Sequence, residues 1–271
     1  MNMALASAEF SIPVLDSALP HALVPLRHPE RHPPRFAFRE AWRNFRTFIR
    51  DKEQTSVVFC VFDALPWPGI DRAAEEFLST ARGRDIYEAE PSLVEILDDR
   101  ELLRGYPAGS VAQAYCDFMD REGLSASMLV DETEAKQGGR PRYADRIQWY
   151  IDRQRDVHDL LHVLTTYGRD ALGEQCVLAY VFKQRPSWGH IFIAYAGALV
   201  TRRKVRTPAP VLRAVREAHL MGKASERLAE QSIRELLAMP IEAARKQFGI
   251  RPPRYYGEVH RVWREAGFAP F

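Results

Sequence analysis

His158 and His162 stand four residues apart in a stretch whose apolar residues recur at helical spacing, so both imidazoles project from one face about a turn apart. Two imidazoles so placed can chelate one cation. Asp159 precedes His162 by three and falls on the flank of the same stripe, where its carboxylate either adds a ligand oxygen or orients a histidine. Glu174 lies near the start of the next predicted helix, where the backbone dipole favours an anion, and the turn over residues 165–173 lets that helix fold back on the first. Gly173 beside it permits a close approach. Two imidazoles with one or two carboxylates suit zinc, and iron, manganese or cobalt if coordination positions stay open. The plainer reading of these residues is a half-exposed helix face with an ion-paired aspartate and a glutamate placed for the dipole.

No other constellation competes. There is no GxSxG turn, no phosphate loop and no dinucleotide-type glycine run, so any catalysis leans on the metal. His190, His219 and His260 have no partner at ligand spacing, and Arg169 and Asp170 read as a helix-start ion pair. Cys60, Cys116 and Cys176 lie in apolar stretches without a CxxC pair, which favours reduced, buried thiols and a reducing compartment.

The elements that must position these residues are helical. Proline recurs through residues 1–35, at positions 13, 20, 25, 29, 33 and 34, and predicts an extended arm. One long helix is expected over residues 39–65, ended by Pro66 and Pro68, and a second from an Asp71 cap towards Arg82, stopped at Gly83. Short helices follow over 92–97 and 111–122, with Gly123 as a stop; the acidic stretch 125–140 reads as a surface loop. The chemistry-bearing helix is expected over 143–166, followed by 171–185 capped by Asp170, and 188–200 capped by Ser187. Further segments fall over 210–221, 224–237, 241–248 and 257–266. The pattern predicts an all-α fold: a single multi-helix domain over 36–251, preceded by the arm at 1–35 and followed by a C-terminal extension at 252–271.

The chain of 271 residues is 46% hydrophobic and 27% charged, which fits a folded globular protein. Acids and bases nearly balance at a net +2, which gives no concentrated basic excess for nucleic acid. The apolar run at 188–200 is shorter than the ~20 residues a spanning helix needs. Its apolar face beside Arg202, Arg203, Lys204 and Arg206 suits peripheral contact with anionic lipid instead. The N-terminus shows no basic region followed by an apolar block, and Glu9 and Asp16 argue against a transit peptide.

His158-Asp159-Leu160-Leu161-His162, then eleven residues, then Glu174 resembles the HDxxH–eleven–E signature of the coenzyme Q (ubiquinone) biosynthesis "Coq-four" family. Residues 150–159, residues 168–174 and Tyr106-Pro107-Ala108-Gly109-Ser110 leading into Ala114, Tyr115 and Phe118 are similar to that family too. The likeness spans roughly residues 40–250. It implies an all-helical fold with a divalent-metal site, zinc first, at His158, Asp159, His162 and Glu174. It also implies a part in ubiquinone synthesis, with metal-dependent decarboxylation coupled to hydroxylation of a prenylated aromatic ring as the expected chemistry. A non-catalytic scaffold that presents prenyl lipids to the other ubiquinone-synthesis enzymes is the alternative, and a metal-dependent hydrolase the third. A polyprenyl tail needs an apolar groove, for which Val177, Val181, Ile191 and Tyr195 are the candidate lining residues. The expected partners are polyprenyl-quinone intermediates, the other ubiquinone-synthesis enzymes and a second copy of the chain. The expected place is the bacterial cytoplasm, peripheral on the inner face of the cell membrane.

Overall fold

The computed structural model describes residues 24–50, 57–134 and 142–269. Among them every regular element is helical, and the one β-type contact is an isolated bridge between Ser110 and Pro240. In chain order the helices are α1 (Phe38–Arg50), α2 (Val57–Ala64), α3 (Ile70–Ser79), α4 (Ala81–Ala89), α5 (Leu93–Asp98), α6 (Arg100–Arg104), α7 (Val111–Glu122) and α8 (Ala126–Glu134). The second half contributes α9 (Arg146–Asp156), α10 (His158–Thr165), α11 (Ala171–Gln184), α12 (Trp188–Lys204), α13 (Val211–Ala224), α14 (Ile233–Ala238), α15 (Ile241–Gln247) and α16 (Arg254–Glu265). A single 3-10 turn, Leu228–Glu230, separates α13 from α14.

The centre of the molecule is α11, which packs on α12 and α13 and buries Leu172, Cys176, Val177, Ala179 and Tyr180 together. A helix apolar nearly all round belongs in the middle of a bundle. Gly222 of α13 lies against it so closely that a Cβ there would come within 2.1 Å of the Tyr180 carbonyl oxygen. Around this pair, α10 packs on α7, α9, α11 and α15, the α1–α2 pair packs on α12 through α2, and α16 packs on α13. A smaller cluster joins α3, α4 and α9 through Phe77, Tyr87, Ile147 and Tyr150.

Several expected elements have other bounds in the structure. The single helix expected over 39–65 is two, α1 and α2; the Ala37 N–H donates to the Ala64 carbonyl at 2.8 Å, so the two run back on each other. Gly83 does not stop a helix. Thr80 caps α4 by accepting from the Gly83 N–H at 2.9 Å, and Gly83 is held in that first turn with the Phe77 carbonyl 2.0 Å from where a Cβ would sit. The stretch expected as loop at 125–140 carries α8, whose first N–H groups, on Ala126 and Ser127, donate to the Asp98 carboxylate at 2.6 and 2.9 Å. Residues 135–141 lie outside the described part. The helix expected over 143–166 breaks at Val157 into α9 and α10, and the segment at 224–237 is the 3-10 turn plus α14.

Of the proline-rich arm, residues 1–23 lie outside the described part. Residues 24–37 run without helix, their carbonyls at Pro25 and Leu26 accepting from the N–H groups of Arg146 and Ile147, and Arg31 pairs with the buried Asp145 at 2.6 Å. The segment after Arg251, expected as an extension, joins the main core: Val259 and Trp263 of α16 are buried. Cys116 and Cys176 are buried thiols. No described helix is long and apolar enough to cross a membrane.

Candidate metal centre

The break at Val157 places His158 at the first position of α10, with His162 one turn later on the same face. Their Nε2 atoms are 3.2 Å apart. Glu174, in the first turn of α11, brings Oε2 to 3.4 Å from His158 Nε2 and Oε1 to 3.5 Å from His162 Nε2. One ligand atom from each of the three residues falls within 4.8 Å of the others.

The turn between the two helices is built for this convergence. Thr166 ends α10 in the left-handed region at φ 62°, a conformation that strains a β-branched residue by about 1–3 kcal/mol. The reversal carries the Tyr167 carbonyl back to His162 Nδ1, 2.9 Å away. The Nδ1–H donates to that carbonyl, which leaves Nε2 with its lone pair facing His158 and Glu174. Phe118 stacks on the His162 ring, with centroids 5.7 Å apart and planes 15° apart. Asp170 caps α11, accepting from the N–H groups of Leu172 and Gly173 at 3.1 and 3.2 Å, and Tyr256 of α16 donates its hydroxyl to the same carboxylate. The Gly168 N–H in turn donates to the Tyr256 hydroxyl at 3.0 Å. Gly173 closes the turn: a Cβ there would lie 1.9 Å from the Gly168 carbonyl oxygen.

Burial opposes ionisation of Glu174, but His162 and His158 outweigh it and hold the carboxyl well below the usual carboxylate range. Burial likewise works against a charged His162, and the Glu174 carboxylate reverses the balance and raises it. Glu174 and His162 therefore tune each other. Two imidazole nitrogens and a carboxylate oxygen bound at about 2.0–2.2 Å to a tetrahedral zinc stand about 3.3–3.5 Å apart. The separations of 3.2, 3.4 and 3.5 Å fit one such cation without rearrangement.

Asp159 is buried beside these residues, but its carboxylate is not among the converging ligand atoms. It adds negative charge next to His162 and to the buried Tyr115 hydroxyl. Arg169, with Nε 3.9 Å from Glu174 Oε1, faces the cluster, whereas Asp170 is the cap just described.

His158 and Glu174 open on a cavity of about 1130 Å³. Its walls are mainly apolar, from Phe48 and Ile49 of α1, Phe59 and Phe62 of α2, Met128 of α8, Leu178 and Val181 of α11, and Ile193 and Val200 of α12. Of the four residues expected to line a lipid groove, Val181 lines this cavity. Val177 is buried in the main core, on the far side of a helix that packs all round. Ile191 and Tyr195 lie on another face of α12 from the stripe His190, Ile193, Gly197, Val200 and Thr201 that meets the cavity, and the Tyr195 hydroxyl meets His219 Nδ1 at 3.3 Å. Helical spacing identifies an apolar stripe but not which neighbour it faces. Sequence reasoning also missed Thr166, Tyr167, Tyr256 and Arg185, whose parts depend on contacts between distant segments.

A mainly apolar cavity with a two-histidine, one-glutamate cluster in its wall, inside an all-helical domain, defines an α-helical protein with a candidate metal centre that opens on an apolar cavity. The family model for the coenzyme Q (ubiquinone) biosynthesis protein Coq4 matches residues 45–254, and the chain belongs to that family. Curated relatives include the mitochondrial ubiquinone biosynthesis proteins coq4 of Neosartorya fischeri, 27% identical over 203 residues, and coq-4 of Neurospora crassa, 26% identical over 207 residues. Each alignment covers 72% of this chain, and 66% and 54% of the respective relative, so the match spans less than two thirds of either relative's length. Among solved structures, a candidate ubiquinone biosynthesis protein from Nostoc punctiforme superposes with a TM-score of 0.54 at 16% identity. It covers 79% of this chain and 99% of its own, a likeness of fold.

Proposed function

We propose that this protein acts in ubiquinone synthesis, holding a divalent cation, zinc first, at His158, His162 and Glu174 and a prenylated aromatic acid in the adjoining cavity. The observation that carries the reading is the convergence of three ligand atoms at metal-compatible separations on the wall of a large apolar chamber. Asp159 is the added carboxylate, a charged neighbour of His162 rather than a fourth ligand.

The chain's own groups divide the work. His162, fixed by the Tyr167 carbonyl, and His158 offer Nε2 ligand atoms, and Glu174 offers the carboxylate oxygen. A bound divalent cation supplies Lewis-acid stabilisation of negative charge on a ring oxygen. The apolar walls take the prenyl tail and exclude water from the ring, which strengthens every charge interaction there. The reaction class is replacement of a ring carboxyl by hydroxyl, which releases carbon dioxide and removes two electrons from the ring, so an external oxidant is a co-substrate.

With three ligands facing a chamber rather than four closing a shell, the cluster keeps a position for substrate, which favours catalysis over a metal-braced scaffold. The cations Arg202, Arg203 and Lys204 at the end of α12, with the exposed Leu199 nearby, support peripheral contact with an anionic membrane. Association with other ubiquinone-synthesis enzymes and with a second copy belongs to the same reading. The test combines elemental analysis of the purified protein with complementation of a ubiquinone-deficient strain. Wild type is expected to carry about one metal per chain and restore ubiquinone, and His158→Ala and Glu174→Ala to lose both. Restoration by metal-free variants would defeat the reading. Restoration by wild type without metal-dependent carbon dioxide release from a prenylated hydroxybenzoate would assign the scaffold role instead.

A further inference from the structure

Glu174, Leu178, Val181 and Arg185 follow one another along one side of α11 at helical spacing, and all four line the cavity. That side begins with a metal-ligating carboxylate, continues apolar, and ends at the C-cap with a guanidinium about 16 Å further along the helix axis.

Elsewhere, arginines whose side chains are almost fully buried are matched by carboxylates. Arg153 pairs with Glu90 at 2.6 Å and also donates to the Ala229 and Gln231 carbonyls, both at 2.6 Å. Arg31 pairs with Asp145 at 2.6 Å. Arg185 differs. Among the described residues no carboxylate pairs with it, and its hydrogen bond goes to a neutral ring: Nη2 donates to Nε2 of His190. That bond fixes the His190 tautomer, with the proton on Nδ1, and Nδ1 has no protein acceptor. His190 is 4% exposed, stacks on Phe62 with centroids 4.2 Å and planes 13° apart, and lines the same chamber.

Burial, Arg185 and His158 all oppose a charge on His190, so it stays neutral and does not repel the guanidinium. Burial brings Arg185 down to about 10, which leaves it cationic at neutral pH. A desolvated cation with donors to spare is unfavourable until an anion meets it, and a carboxylate's two coplanar oxygens match the guanidinium fork. A monoanion balances the one charge available. Arg185, His190, His158 and Glu174 all line the one chamber, so this pole shares it with the candidate metal cluster.

We propose that Arg185, oriented by His190, recognises the carboxylate of the cavity's ligand and selects a ring acid over the same ring without its carboxyl group. The proposal rests on the reading of the chamber as the seat of a prenylated ring acid. It adds a second polar pole, so that a ligand is read at its carboxyl as well as at the metal, and the decarboxylated product is released in preference to the acid.

The experiment measures binding of 3-farnesyl-4-hydroxybenzoate and of 2-farnesylphenol to wild type, Arg185→Met and Arg185→Lys by calorimetry, with thermal unfolding of each ligand-free protein. Wild type is expected to prefer the acid by at least about tenfold, the scale of a charge-assisted hydrogen bond. Arg185→Met should abolish that preference with phenol affinity unchanged, and Arg185→Lys should retain part of it because charge remains without the fork. Ligand-free Arg185→Met should melt at or above wild type, since a buried unpaired charge is gone; an arginine kept for structure would give a lower melting temperature. Retention of the acid preference in Arg185→Met, or equal loss of both affinities with a lower melting temperature, overturns the proposal. Equal binding of acid and phenol by wild type removes the assignment of Arg185 and leaves the chamber reading standing. Binding of neither compound removes both.

Discussion

Substituting Gly173 by alanine tests whether the turn between the two helices that carry His162 and Glu174 holds the candidate metal site together. The added Cβ would lie 1.9 Å from the Gly168 carbonyl oxygen, where real contacts essentially never fall below 3.0 Å, so the two backbones must separate by at least 1.1 Å. The listener on the other side of that turn is the Tyr167 carbonyl, 2.9 Å from His162 Nδ1, and the neighbouring Gly168 N–H is 3.0 Å from the Tyr256 hydroxyl. A shift of that size stretches either bond beyond hydrogen-bonding range. Overpacking of this kind destabilises by about 1–3 kcal/mol, and each of the two lost hydrogen bonds by about 1 kcal/mol, so the expected loss is about 3–5 kcal/mol. At roughly 2–4 °C per kcal/mol for a chain of this class, the melting temperature should fall by roughly 10 °C. With the orientation of His162 lost, zinc affinity should fall by about 10–100-fold, as for other groups that orient a ligand. Calorimetric unfolding and chelator competition measure the two effects. A Gly173→Ala protein that melts within a degree of wild type and binds zinc equally well would refute the argument that this close approach sets the site.

Two further expectations concern buried charge. Glu90 accepts from Arg153 at 2.6 Å, from Ser232 at 2.8 Å and from the N–H groups of Ile233 and Arg234 at 3.1 and 2.9 Å. Glu90→Gln leaves Arg153 without a counterion and should destabilise the fold by about 3–5 kcal/mol in denaturant unfolding at pH 7. Burial raises Glu90 but Arg153 and the hydrogen bonds overcome it and lower it, so this stabilisation is present above the usual glutamate range and is lost as pH falls through the folded value. Asp156 behaves oppositely: burial outweighs Arg155 and pushes it up to about 6. Its folded form holds a proton that the unfolded chain releases, so its contribution is full below about pH 4 and is lost as pH rises through 6. Asp156→Asn should therefore raise stability at pH 8 by about 3 kcal/mol and leave it little changed at pH 4; an equal gain at both values would contradict the assignment.

Much of the site was legible in the sequence because its determinants are local. A four-residue spacing puts two side chains on one helical face whatever surrounds them, and Asp170 caps α11 through N–H groups two and three residues away. Ser110 and Gly123 likewise bound α7 at the expected residues through a short-range cap and a left-handed stop at φ 65°. The all-helical class follows from the same periodicity. Tertiary structure decided where those helices break, which faces they bury and what lies opposite. Asp98 reaches across 28 residues to cap a helix in an acidic stretch that reads as loop. Val177 and Val181 share a helix and are both buried in the core, yet only Val181 also lines the cavity. The strain at Thr166, the brace from Tyr256 and the lone cation at Arg185 acquire meaning only when segments far apart in the chain come within a few ångströms, since the interactions involved are short-ranged and no spacing along the chain records them.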